Sequence, residues 1–180
     1  MSKKAVFSIF ILSIVTLTLM VIAFYPQASK NTQVALKKSV IQTVLSFGQP
    51  VIAEASSPMS YSIPIEISTG ENKVTAVQLE MQYDPEVLAD VTIVPGQFFV
   101  NSDILLDQIN AKTGRISYAL GVGLTAQGIS GKGIIANIIF YPKTKIQEKT
   151  AIQFLPKTLV TATGANGSVL KQVVNGFLTL

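Results

Sequence analysis

Residues 74–96 limit what this chain can fold into more than any other stretch. From Val74 to Tyr83 the side chains alternate: Val77, Leu79, Met81 and Tyr83 fall on one side, Ala76, Gln78, Glu80 and Gln82 on the other. A period of two is the period of a β-strand with one buried face. Asp84-Pro85 breaks the pattern, because Asp bonds its own downstream backbone and Pro has no N–H to give a ladder. Val87 and Leu88 follow as apolar residues suited to plug the end of a core, and a second strand runs from Asp90 to Val94 before Pro95-Gly96 stops it.

The rest of the chain repeats this pattern in short pieces. Strands are expected at about 61–67, 75–83, 91–94, 97–100, 115–122, 133–141, 150–155, 159–162, 168–170 and 176–180. They are separated by Gly70-Glu71-Asn72, Lys112-Thr113-Gly114, Gly128 to Gly133, Pro142-Lys143 and Ala165-Asn166-Gly167. Many short strands with Gly and Pro turns predict an all-β sandwich. Its core should hold Val77, Leu79, Met81, Tyr83, Ile116, Tyr118, Leu120, Ala136, Ile138 and Phe140. Pro64 inside the first of these strands suits an edge position. Phe98 and Phe99 are adjacent, as are Phe140 and Tyr141, so in a strand one of each pair turns outward. Tyr141 and one of the two Phe residues are the groups that could stack on a sugar. Asn166-Gly167 reads as a hairpin turn, and Asn166-Gly167-Ser168 is also a formal glycosylation sequon.

The chemistry available is narrow. The sequence has no His and no Cys, which excludes thiol catalysis, disulfides, the usual zinc sites and every His-dependent triad. Asp84 and Glu86 flank a turn proline, and Asp103 and Asp107 read as solvated loop charges. Asn101 and Asp103 faintly echo a calcium loop and are the metal-ligand candidates. The glycines at 121, 123 and 128–133 precede no Gly-Lys-Ser/Thr and no helix, so they read as turns. No cofactor is expected. Residues 56–180 carry nine basic and nine acidic side chains, so the β-rich part has no electrostatic footprint for nucleic acid.

The basic excess sits at the N-terminus: Lys3, Lys4, Lys30, Lys37 and Lys38 against Glu54. After Lys4, Ala5 to Phe24 is a run of 20 residues without a charge. A helix of that length spans about 30 Å, the thickness of a bilayer core. Residues 1–25 are therefore expected to be a transmembrane or signal-anchor helix, retained rather than cleaved because Pro26 spoils the adjacent cleavage site. Residues 26–58 are expected to be a juxtamembrane stalk or, over Asn31 to Phe47, an amphipathic helix, then a linker. The β-domain should occupy 59–180 on the extracytoplasmic side, or be secreted if the leader is removed.

The order of the β-rich pieces resembles a cohesin domain, the receptor module of cellulosomes and related bacterial surface proteins. The strand, Tyr83-Asp84-Pro85, Val87-Leu88, strand, Pro95-Gly96 series is similar to the family's opening half. Gly114 to Ala119 resembles its central strand, Gly131 to Phe140 its Gly-x-aliphatic-Ala strand, and Asn175 to Leu180 its closing strand. The resemblance implies a non-catalytic jelly-roll β-sandwich of about nine strands. It also implies a flat sheet face that binds dockerins, small calcium-loaded helical modules. The implied face is the outward row Gln78, Glu80, Arg115, Ser117, Asn137 and Tyr141. In type I cohesins an Asn-x-Asp pair precedes the Tyr-Asp-Pro; here Ala76 and Gln78 stand there. Carbohydrate-binding modules share this architecture, so a polysaccharide is the alternative partner. A polymerising envelope or pilus-like subunit with exposed strand edges is a further alternative.

Overall fold

The computed structural model describes residues 40–55, 58–123, 127–143 and 150–178, together with Ile14, Thr16, Leu17 and Met20. The chain divides into two units, residues 1–36 and 37–180. In the first, the four described residues are helical. The rest of the expected anchor lies outside the described residues, and among those described no helix is long and apolar enough to cross a membrane.

The second unit is an all-β sandwich of two sheets. Its strands are β1 (Thr43–Phe47), β2 (Val51–Glu54), β3 (Ser60–Ser68), β4 (Val74–Gln82), β5 (Leu88–Pro95), β6 (Asp103–Asn110), β7 (Arg115–Gly121), β8 (Lys132–Pro142), β9 (Thr150–Phe154), β10 (Leu159–Ala162), β11 (Leu170–Val174) and β12 (Gly176–Leu178). The first sheet runs β11-β1-β3-β8-β5 with β2 also on β3; the second runs β12-β9-β4-β7-β6 with β10 also on β4. Pairing is antiparallel except for β1 with β11. Three courses are interrupted: β1 and β2 both lie along β3, β9 and β10 both lie along β4, and β11 and β12 join across Asn175 while changing sheets. The twelve strands thus follow nine courses.

All ten residues expected in the core are buried between the sheets. The Asp84-Pro85 turn is built as its chemistry requires. Asp84 Oδ1 accepts from the Glu86 N–H at 2.9 Å, and the Asp84 carbonyl accepts from Leu88 at 3.0 Å. This returns the chain into β5 with Leu88 sealed in the core.

The structure corrects several sequence expectations. Thr43–Phe47, expected within an amphipathic helix, is β1, and β2 also falls in the segment expected as stalk and linker. Leu45 is fully buried, because pairing with both β3 and β11 places it under the sheet. Residues 97–100, expected as a strand, form bends and a turn, and the strand is β6 instead. Phe98 and Phe99 therefore do not alternate. Both are buried and meet edge to face at 5.0 Å, so neither stands outward for a sugar.

Pro64 lies in β3, an interior strand, not at an edge. Its carbonyl accepts from Gly48 in the gap between β1 and β2, at 2.8 Å. In an antiparallel strand a residue's N and carbonyl point the same way, so the missing N–H falls at that gap and no ladder bond is lost. A Cβ on Gly48 would stand 2.6 Å from Pro64 Cγ, which explains the glycine there. Asn166-Gly167 is an exposed connection between opposite sheets rather than a hairpin, and the left-handed residue is Gly164, at φ 74°.

Candidate functional site

Residues directly opposite one another on paired strands point to the same face. On β4 and β7 this aligns Gln78 with Ala119, Glu80 with Ser117, and Gln82 with Arg115. Across β6 the rows continue to Leu106, Gln108 and Asn110. Because Val77, Leu79 and Met81 face the core, these rows form the outer face of the second sheet.

Glu80 is the centre of that face. It points outward, yet it is only 5% exposed. The cause is the interruption between β9 and β10, which falls beside it. The connecting residues fold against its backbone: Leu155 N–H donates to the Glu80 carbonyl at 2.7 Å. Thr158 Oγ1 donates to the same carbonyl at 2.9 Å and accepts from Glu80 N–H at 3.1 Å.

The Glu80 carboxylate is held by its neighbours in the rows. Arg115 donates to Oε2 through Nη2 at 2.8 Å and through Nε at 3.3 Å. Ser117 Oγ donates to Oε2 at 2.9 Å, and Gln78 Nε2 donates to Oε1 at 3.3 Å. Burial alone pushes the carboxyl pKa up. The bonds from Arg115, Ser117 and Gln78, with the charge of Arg115, outweigh it and hold the pKa below its ordinary value. Arg115 spends two of its five N–H donors on this anchor while its side chain stays 46% exposed. A long cation is thereby fixed in place with donors left for another molecule.

Next to Arg115 the β6–β7 hairpin forms a shallow concavity lined by Gln108, Asn110, Lys112, Arg115 and Ser117. Asn110 Oδ1 shapes the turn by accepting from Lys112 N–H at 3.1 Å and Thr113 N–H at 3.2 Å. Gln82 Nε2 also reaches the Thr113 carbonyl. Toward the other end of the face the outward residues are small: Ala76, Ala119 and Gly121.

Of the expected outward row, the structure brings together Gln78, Glu80, Arg115 and Ser117. It does not bring Asn137 and Tyr141 to them. Both belong to β8, in the opposite sheet, opposite Pro64 and Ala89 respectively. The six are therefore not one face, because the outer faces of a sandwich look in opposite directions. Gln108, Asn110 and Lys112 belong to the site and went unread because β6 did. The signal available was the Asn110-Ala-Lys-Thr-Gly114 turn leading into β7, which calls for a preceding strand.

The metal-ligand candidates lie apart from the face centre. Asn101 occupies a left-handed turn position at φ 54°, and Asp103 begins β6 rather than sitting in a loop. Asp107 is also on β6, opposite Tyr118. Among the described residues no three acidic side chains converge to hold a metal.

The profile described as Cohesin domain matches residues 59–179. That is more than half of the chain, and the chain belongs to the cohesin family. No curated protein matches the sequence. Among solved structures, it is similar to the sixth cohesin of scaffoldin B from Acetivibrio cellulolyticus, solved in complex with a Cel5 dockerin. That match has 20% identity and a TM-score of 0.60, and covers 77% of this chain and 98% of that one. The third cohesin ScaC from the same organism, in complex with the ScaB dockerin, matches at 19% identity and a TM-score of 0.60, covering 77% and 99%. A non-cellulosomal cohesin from the archaeon Archaeoglobus fulgidus matches at 20% identity and a TM-score of 0.53, covering 76% and 88%. At such identities the likeness concerns the fold.

Proposed function

We propose that this chain is a non-catalytic receptor module that takes a dockerin-type helical protein on the outer face of β4, β7 and β6. The observation that carries the reading is the Glu80 network. It fixes Arg115 at the middle of a flat sheet face whose backbone is already paired, leaving side chains to do the binding. Arginines held this way are typical binding hot spots. Cohesins of the same fold are solved with dockerins, and the chain has no His, Cys or nucleophile motif for catalysis. The charge-free run from Ala5 to Phe24 behind Lys3 and Lys4 supports a tether that keeps the module on the extracytoplasmic side.

The test is binding of the full-length chain to a panel of calcium-loaded dockerin modules. Arg115→Ala should weaken a bound dockerin by about thirtyfold, the loss of roughly 2 kcal/mol typical of a hot spot. Tyr141→Ala, on the opposite sheet, should leave affinity unchanged. Binding that fails with Tyr141→Ala and survives Arg115→Ala would move the site to the other face. A panel with no binder at all would refute the dockerin-type reading.

A further inference from the structure

The outer face of the second sheet is charged unequally along its length. At one end Lys112 and Arg115 line the same concavity, and only Arg115 is neutralised, by Glu80. At the other end Asp103 stands opposite Gly121, turned to the same face and exposed. Between the ends runs a low floor of Ala76, Ala119 and Gly121, flanked by Leu159 on β10 and Leu106 on β6. Leu159 and Leu106 are both half-buried. Arg115 and Gly121 are six residues apart on β7. At about 3.3 Å per residue the floor is roughly 20 Å long, the length of a helix of about 13 residues.

We propose that this face accepts a partner helix in one orientation, its C-terminal end over Lys112 and Arg115 and its N-terminal end over Asp103. The inference rests on the helical-partner reading above. A helix carries partial negative charge at its C-terminus and partial positive charge at its N-terminus. In the stated orientation both ends meet the opposite sign; reversed, both meet the same sign. The free N–H donors of Arg115 also match the unpaired carbonyls of a helix C-terminus or a carboxylate in its last turn. The low floor lets a helix backbone approach closely at its N-terminal half.

The chain has no cysteine, so disulfide trapping reads the orientation directly. The probe is a two-helix module, selected on the full-length chain from a surface-randomised display library. It carries one cysteine at either end of the docked helix. The chain carries either Ala111→Cys, beside Lys112, or Ser102→Cys, beside Asp103, so the orienting charges stay intact. Under a mild oxidant, Ala111→Cys should trap the C-terminal cysteine about tenfold over the N-terminal one, and Ser102→Cys the reverse. Exchanging the charges with Lys112→Glu and Asp103→Lys should remove or invert the preference. Ala119→Arg, which fills the floor, should abolish binding.

Equal trapping at both ends with Ala119→Arg still blocking would overturn the single orientation and leave the face intact. The same holds for a preference that ignores the charge exchange. Binders that all tolerate Ala119→Arg would overturn both the orientation and the face.

Discussion

Arg115→Ala should destabilise the fold in a way that depends on pH. The substitution removes two charge-assisted bonds from Glu80, whose side chain is 7% exposed, and leaves Ser117 and Gln78 as its donors. Such bonds are worth about 1.5–3 kcal/mol each when buried, but the exposed half of Arg115 is screened by water, so a total of about 1–2 kcal/mol is expected near pH 7. In the native protein the Glu80 pKa is held below its reference value of 4.5. A depressed carboxyl pKa contributes stability that is present above the unfolded value and lost as pH falls through the folded one. Without Arg115, burial has less opposing it and the pKa rises, so much of that contribution is already missing at neutral pH. The two proteins should converge once Glu80 is protonated in both. Urea unfolding of the full-length chain measures this. With m of about 2 kcal/mol/M, the midpoint should drop by about 0.5–1 M near pH 7 and by much less near pH 3. An equal drop at both pH values would show that Arg115 acts through packing of its stem, and would refute the ionic account.

Three other substitutions probe parts of the fold that hold this face. The Tyr118 hydroxyl is buried with no hydrogen-bond partner among the described residues, so Tyr118→Phe should raise stability by about 1 kcal/mol; a lower thermal midpoint would contradict this. Gly114 sits at φ 68° with the Tyr83 carbonyl 2.1 Å from where a Cβ would stand. Gly114→Ala should therefore cost about 2 kcal/mol or more in denaturant titration, whereas Gly167→Ala, with open space around it, should cost little. Thr158→Val removes both bonds to the Glu80 backbone and leaves a buried N–H unpaired. It should cost about 1–3 kcal/mol and speed hydrogen exchange at the Glu80 amide.

Where alternation runs unbroken, sequence and structure agree. β4 and β7 bury the side chains their period assigns to the core, and the turn after Tyr83 forms from Asp84 and Pro85 as read. Where alternation is short or interrupted, the sequence is ambiguous. Thr43-Val-Leu-Ser-Phe47 is a strand of five residues, and a run that short fits a helical stripe as well as a pleat. Asp103 to Asn110 carries a register shift between Ile104 and Leu106, so its apolar residues follow no period and its two aspartates look like loop charges.

The binding face shows a different limit. Alternation tells which residues look outward from a strand, not which sheet the strand joins. Asn137 and Tyr141 look outward as truly as Glu80 does, but from the opposite sheet. The partition of strands between sheets depends on contacts far apart in the chain, which single-strand patterns do not encode.

The parallel pairing of β1 with β11 sets an order on folding. Thr43 pairs with Leu170, so the first strand finds one neighbour only after nearly the whole domain has been made. Contacts this distant along a chain form slowly, because a long loop must close before they gain anything. During synthesis the first sheet therefore waits with an open strand edge until its last residues emerge. A chain ending before Leu170 would keep that edge indefinitely, and an unpaired edge beside a buried Leu45 is a template for aggregation. Completion of the domain is thus checked by its own last strands, before any partner meets the face built by the strands between them.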